Sequence, residues 1–207
     1  AFNQRRIMNN IKKVAIVDCG GANLSSLTFA IKRLGLEYNV TNDRDDISNA
    51  SHIILPGVGA AKDAMQKLSQ IDLITTIKDL KQPTLGICLG MQLLFDSTME
   101  EDEDCLGIIQ GECKRFTTDS SYPVPHMGWN SIKLNKHTSL VDNTLEGAYF
   151  YFIHSYYIPL LDQTIASTEY AIEFSSIVQQ ENFYGVQFHP EKSGAAGSKL
   201  LDSFFNL

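Results

Sequence analysis

Hydrophobic positions in this chain fall into short runs that alternate between two periods. Val14, Ile16 and Val17 make a β-branched run over 13–18 that stops at Cys19-Gly20-Gly21, which predicts a buried strand entering a tight turn. Leu24, Leu27, Ile31 and Leu34 then recur at helical spacing with Gly35 as a stop, predicting a helix over 23–34. Strands are expected at 37–41, at 51–55 ahead of Pro56-Gly57-Val58-Gly59, and at 83–88. Helical spacing fills 60–80 with a break near 69–72, and a short helix through Met91 and Phe95 follows the fourth strand. Such alternation predicts a parallel sheet with helices on both faces. The second half differs. Strand-like segments at 108–116, 131–134, 148–158, 164–170 and 175–188 are only briefly interrupted, which predicts antiparallel pairing, and a helix over 193–205 closes the chain. The acidic run Asp96–Asp104 reads as a solvated loop. The expected fold is α/β: a single domain with a mostly parallel central sheet flanked by helices, plus an antiparallel extension.

Composition narrows the function classes. The chain has 207 residues, 43% hydrophobic and 20% charged, which suits one ordinary globular core and hardly two. A net charge of −7 argues against a nucleic-acid partner, because phosphate binding needs a basic face. No apolar run approaches the roughly 20 residues that span a bilayer, so no membrane role is expected. Residues 1–11 are polar and basic and do not read as a signal peptide; they are set aside as an N-terminal tail or an added remnant, and 12–207 form the domain. Cys19, Cys88, Cys105 and Cys113 show no CxxC spacing. Reduced thiols in a cytoplasmic protein are therefore expected, with no metal site.

Three segments could carry chemistry. Gly86-Ile87-Cys88-Leu89-Gly90 has the G-x-nucleophile-x-G form of a strand-to-helix elbow, with cysteine at its centre. The turn lifts the thiol out of the sheet, the helix start favours its thiolate, and the Leu89 N–H is placed to stabilise an oxyanion. A buried thiol at a tight turn is the competing reading. Gly185-Val186-Gln187-Phe188-His189-Pro190-Glu191 offers a base, His189, with a carboxylate two residues on. If strand geometry continues through it, both side chains face one way, and Glu191 can orient the imidazole. Pro56-Gly57-Val58-Gly59 follows a parallel strand and frees backbone N–H groups for a second oxyanion donor. A phosphate loop is the weaker alternative there, since neither a Walker lysine nor a G-x-G-x-x-G spacing is present.

In this order, PGVG, GICLGMQLLF and GVQFHPE resemble the class I glutamine amidotransferases, whose core is flavodoxin-like. PHMGWN (125–130), YFYFIHSY (149–156) and Glu191-Lys192-Ser193 narrow the resemblance to glutaminase subunits of imidazole glycerol phosphate synthase, running from about Lys12 to Phe205. The resemblance implies a Cys88–His189–Glu191 triad that hydrolyses L-glutamine through a glutamyl thioester. It implies oxyanion donors at Leu89, Gly57 and Val58, and glutamine-binding positions at Gly59, Gln92, His154, Ser155 and Tyr156. It implies no cofactor. It also implies a heterodimer with a cyclase (HisF-type) barrel subunit that receives the ammonia for histidine biosynthesis, touched by Asn23, Trp129, Tyr151 and Lys192. A glutaminase serving a different synthase is the alternative. The segment Asp18-Cys19-Gly20-Gly21-Ala22-Asn23 departs from the family pattern by carrying Ala22 where glycine is usual. His126 and His154 are expected to be structural hydrogen-bonding residues.

Overall fold

The computed structural model describes residues 12–20, 24–117 and 121–207. The tail at 1–11 and the 21–23 segment, with Ala22 and Asn23, lie outside the described residues. Among the described residues the central sheet has eight strands. Five run parallel in the order β2 (Glu37–Thr41), β1 (Lys13–Val17), β3 (His52–Leu55), β4 (Thr84–Ile87) and β14 (Phe183–Val186). Antiparallel β13 (Ile172–Gln180), β12 (Thr164–Tyr170) and β9 (Lys133–Leu134) extend it.

Burial explains the parallel half. In β1, Val14 and Ile16 enter one core while Ala15 and Val17 enter another, so the strand is apolar on both faces. α1 (Ser25–Arg33) and α6 (Gly194–Phe205) cover the first face through Leu27, Ile31, Leu200 and Phe204. α2 (Arg44–Asn49), α3 (Ala61–Gln70) and α4 (Ile74–Lys78) cover the second through Ile47, Met65, Leu68 and Ile77. The mixed sheet and its flanking helices agree with the fold expected from the hydrophobic pattern. No helix among the described residues is long and apolar enough to cross a membrane.

Two local expectations are corrected, and two further elements go beyond what the hydrophobic pattern predicted. The apolar stretch 175–188 is two strands, because Glu181 turns the chain with φ of +51° between antiparallel β13 and parallel β14. The acidic run is no plain loop: β5 (Phe95–Thr98) and β6 (Glu103–Asp104) pair antiparallel across it. With β7 (Ile109–Arg115) and β11 (Tyr156–Tyr157) they form a separate four-stranded sheet. α2 was not expected from apolar spacing, since it buries only Ile47; its start is held by the Asp43 carboxylate, which accepts from the N–H groups of Asp45 and Asp46. Finally, β8 (His126–Ser131) leaves the central sheet and pairs with β10 (Tyr149–His154) in a two-stranded ribbon. Its β10 strand reaches the chain that follows β14, where Tyr151 O accepts from the His189 N–H at 2.9 Å.

Candidate active site

The site forms at the carboxyl ends of β3, β4 and β14, where doubly wound sheets place their ligands. Cys88 follows β4 directly and starts α5 (Leu89–Gln92), with φ of +54° and ψ of −110°. A non-glycine residue there is strained, and the surrounding contacts hold it. The flanking glycines are required by space rather than by their own dihedrals. A Cβ on Gly90 would lie 1.8 Å from the Leu55 carbonyl oxygen, and one on Gly86 would lie 2.5 Å from the Gly90 oxygen. The same close approach seats the β3 loop on the elbow: a Cβ on Gly57 would meet the Leu89 Cβ at 2.9 Å. Gly59 takes φ of +97°, a left-handed conformation that suits glycine.

His189 and Glu191 do meet, though not by continued strand geometry. β14 ends at Val186, and Pro190–Lys192 forms one turn of 3-10 helix with His189 at its start. That turn brings His189 Nδ1 to 2.8 Å from Glu191 Oε1. Nδ1–H therefore donates to the carboxylate, and Nε2 is left toward the thiol. Nε2 is buried and has no partner of normal hydrogen-bond geometry among the described residues. Burial alone pushes the imidazole down. Interaction with the Cys88 sulfur and with Glu191 outweighs it and raises the ring from 6.5 to about 10. The loop is pinned besides: Ser193 Oγ donates to His189 O at 2.6 Å and accepts from the Tyr151 N–H at 3.0 Å.

Cys88, Leu89 and His189 open onto a cavity of about 310 Å³ that Val58, Gly59, Gln92, His154, Ser155 and Tyr156 also line. That volume suits an amino acid. Every glutamine-binding position expected from the sequence thus lies on one cavity, with Gly57 packed just beneath it. His154 lines it without a free polar atom, because Nδ1 donates to Tyr156 O at 2.7 Å and Nε2 pairs with His126 Nδ1 at 2.9 Å. This is the structural role expected for the two histidines. The cavity also includes Glu100, from the acidic run whose residues were expected to face solvent. Its Oε2 accepts from the Ala61 N–H at 2.9 Å, and it sits in the turn that joins β5 to β6. Nothing in its local spacing separates Glu100 from the other acidic residues around it.

Of the expected partner positions, Trp129, Tyr151 and Lys192 are not among the residues that line the cavity. Trp129 and Tyr151 are cross-strand neighbours on the outer face of the ribbon, with ring centroids 6.2 Å apart. Trp129 is 56% exposed, and Met127 and Tyr149 beside it are each 60% exposed. Isolated exposed aromatics are ordinary, but a contiguous set is a feature of contact surfaces. Lys192 is exposed on the turn after His189. Asn23 lies outside the described residues.

Residues 15–207 match the family model described as glutamine amidotransferase class-I. The chain is 46% identical over 194 residues to the imidazole glycerol phosphate synthase subunit HisH 2 of Legionella pneumophila (strain Paris), covering 94% of this chain and 98% of the relative. It is 45% identical over 202 residues to the HisH 1 protein of Vibrio vulnificus (strain YJ016), covering 95% and 98%. A crystal structure described as glutamine amidotransferase superposes with a TM-score of 0.72 at 16% identity, covering 93% of this chain and 97% of that one. A glutamine amidotransferase from Thermotoga maritima superposes at 0.64 and 13% identity, covering 95% and 83%. These last two likenesses concern the fold.

Proposed function

The chain belongs to the class I glutamine amidotransferases, and from that membership we propose that it is the glutaminase subunit of an imidazole glycerol phosphate synthase. The observation that carries the chemistry is that Cys88 and His189 open onto one amino-acid-sized cavity while Glu191 holds the imidazole from Nδ1. The relatives named above carry the pathway.

In this reading L-glutamine enters with its amide toward Cys88. Glu100 supplies negative charge for the substrate's ammonium group, and Gln92 offers its amide oxygen, both of its Nε2 hydrogens being committed within the protein. The Cys88 thiolate attacks the amide carbon. The Leu89 N–H, unpaired within the first turn of α5, and the peptide N–H groups at Gly57 and Val58 stabilise the oxyanion. His189, held protonated by Glu191, gives its proton to the departing nitrogen, and ammonia leaves a glutamyl thioester. The neutral imidazole then takes a proton from water as it attacks. A second tetrahedral intermediate collapses to glutamate and regenerates the thiolate. No metal or cofactor enters these steps.

Ammonia becomes protonated and inert in neutral water, so direct transfer to a docked acceptor follows from the chemistry. The outer face of the ribbon, with Trp129 and Tyr151, and the Lys192 turn are the surface we assign to a cyclase barrel in a heterodimer. β10 joins that surface to the site: Tyr151 O holds His189, and Ile153 O lies 3.7 Å from the Cys88 sulfur. Docking therefore has a short route to the catalytic groups, which makes activation by the partner the expected allosteric behaviour. Four free cysteines suit the cytoplasm.

The test is glutamine hydrolysis by the purified chain alone, with a cyclase barrel, and with the barrel plus its nucleotide substrate. Weak turnover alone and strong stimulation by the loaded barrel support the assignment. Stimulation by a different synthase and not by this one would reassign the partner while leaving the glutaminase in place.

A further inference from the structure

We propose that Gln187 is a positioning residue that holds the Cys88 sulfur in its nucleophilic form, its amide locked in one orientation by Gln92 and the Tyr156 carbonyl. The inference rests on Cys88 being the nucleophile. Gln187 is fully buried, two residues before His189, and its Nε2 lies 3.8 Å from Cys88 Sγ.

Amide orientation decides what Gln187 does, and the network decides the orientation. The Tyr156 carbonyl can only accept. Gln92 Nε2 lies 3.1 Å from that oxygen and 3.1 Å from Gln187 Oε1, so one amide nitrogen donates to both. Gln187 Oε1 is thereby held as an acceptor, and its NH₂ group is left facing the sulfur. Turning the Gln187 amide over would set its NH₂ against the Gln92 donor and its oxygen against the sulfur, losing one bond and placing two acceptors together. The Tyr156 oxygen is fixed from its other side by His154 Nδ1 at 2.7 Å. Since Nδ1 of His154 donates, its Nε2 accepts, so His126 Nδ1 donates across 2.9 Å. Asn130 then donates to His126 Nε2 at 3.3 Å. Every bond from β8 to the sulfur has one allowed direction.

An amide N–H can donate to a thiolate and gains far less from a thiol. The opposite influence is also present. Ile153 O, 3.7 Å from the sulfur, accepts from an S–H and favours the thiol. Gln187 is the counterweight to that carbonyl. The titratable groups around the sulfur are His189 and Glu191 from the turn after β14, Glu100 from the β5–β6 turn, His154 on β10 and Cys113 on β7.

The experiment is the pH dependence of Cys88 alkylation by iodoacetamide in the intact chain, with the label located by peptide mass mapping. Gln187→Met keeps volume and removes the donor; its alkylation midpoint should rise by about half a unit to one unit. Gln187→Glu should rise further, because a carboxylate cannot donate and adds negative charge. A Gln187→Met protein with the wild-type thermal transition and an unmoved midpoint overturns the proposal. If that variant does not fold, Gln92→Met carries the test, since it leaves Gln187 in place but frees its amide to turn; a raised midpoint supports the proposal and an unmoved one overturns it. Glutamine hydrolysis measured on the alkylated wild type separates the two readings. Hydrolysis lost with an unmoved variant midpoint removes only the role of Gln187, whereas hydrolysis retained after alkylation overturns the nucleophile as well.

Discussion

Cys88 holds a backbone conformation that a cysteine does not choose, and the contacts that enforce it are made by residues without side chains. Gly90 lies so close to the Leu55 carbonyl that any Cβ overlaps it, whereas Gly35, whose own φ of +73° is left-handed, has open space around it. Gly90→Ala should therefore lose about 3 kcal/mol or fail to fold, while Gly35→Ala should lose about 1 kcal/mol, both read from urea denaturation midpoints. At the base, Glu191→Gln removes the charge that helps hold His189 protonated. Glutamine turnover in that variant should fall about a hundredfold with little change in KM, measured by steady-state kinetics with the partner present. These residues were legible in the sequence because the elbow and the His-Pro-Glu turn are local devices, each complete within seven residues. Glu100 was not legible. Its place on the cavity comes from strand pairing that brings a distant turn there, and no local spacing encodes that.

At the scale of elements, the parallel half was readable because strands buried on both faces appear as continuous β-branched runs. The run at 175–188 misled for the same reason: β13 and β14 are both buried, so the tight turn at Glu181 interrupts the chain without interrupting its hydrophobicity. The ribbon of β8 and β10 was only half visible. Phe150 and Phe152 point inward while Tyr149 and Tyr151 point outward, so both faces look apolar and alternation is lost. The same feature gives the ribbon its proposed second surface. Trp129→Ala should weaken binding of a cyclase barrel by about thirtyfold, the effect of removing a central aromatic anchor, in a calorimetric titration. The thermal transition of the isolated variant should stay close to wild type, because the indole is largely outside the core.

Four buried histidines of the molecule sit in two opposed states, and this sets its response to pH. Burial holds His52 near 4, helped by the charge of Lys12, and holds His126 near 4. Burial also holds His154 near 3, with the charges of His126 and His189 adding to it. Each is protonated in the unfolded chain below about 6.5 but stays neutral in the folded one, so protons favour unfolding. Stability should fall as pH drops from 6.5 toward 4, by up to about 1.4 kcal/mol per pH unit for each histidine. His189 runs the other way. Raised to about 10 by Cys88 and Glu191 against its burial, it stabilises fully below 6.5, and that contribution is lost as pH rises through about 10. Urea midpoints across pH should decline on both limbs. At this scale the sequence disclosed the sheet and the order of its motifs, while the hydrogen-bond directions that link the ribbon to the sulfur emerged only from the packed structure. The central claim is that Cys88 forms the glutamyl thioester, and rapid-quench mass spectrometry of the chain with L-glutamine tests it most directly. A glutamyl adduct mapped to the Cys88 peptide, present in wild type and absent along with turnover in Cys88→Ala, is the predicted result. Turnover that persists in Cys88→Ala, or an adduct mapped to another residue, would contradict it.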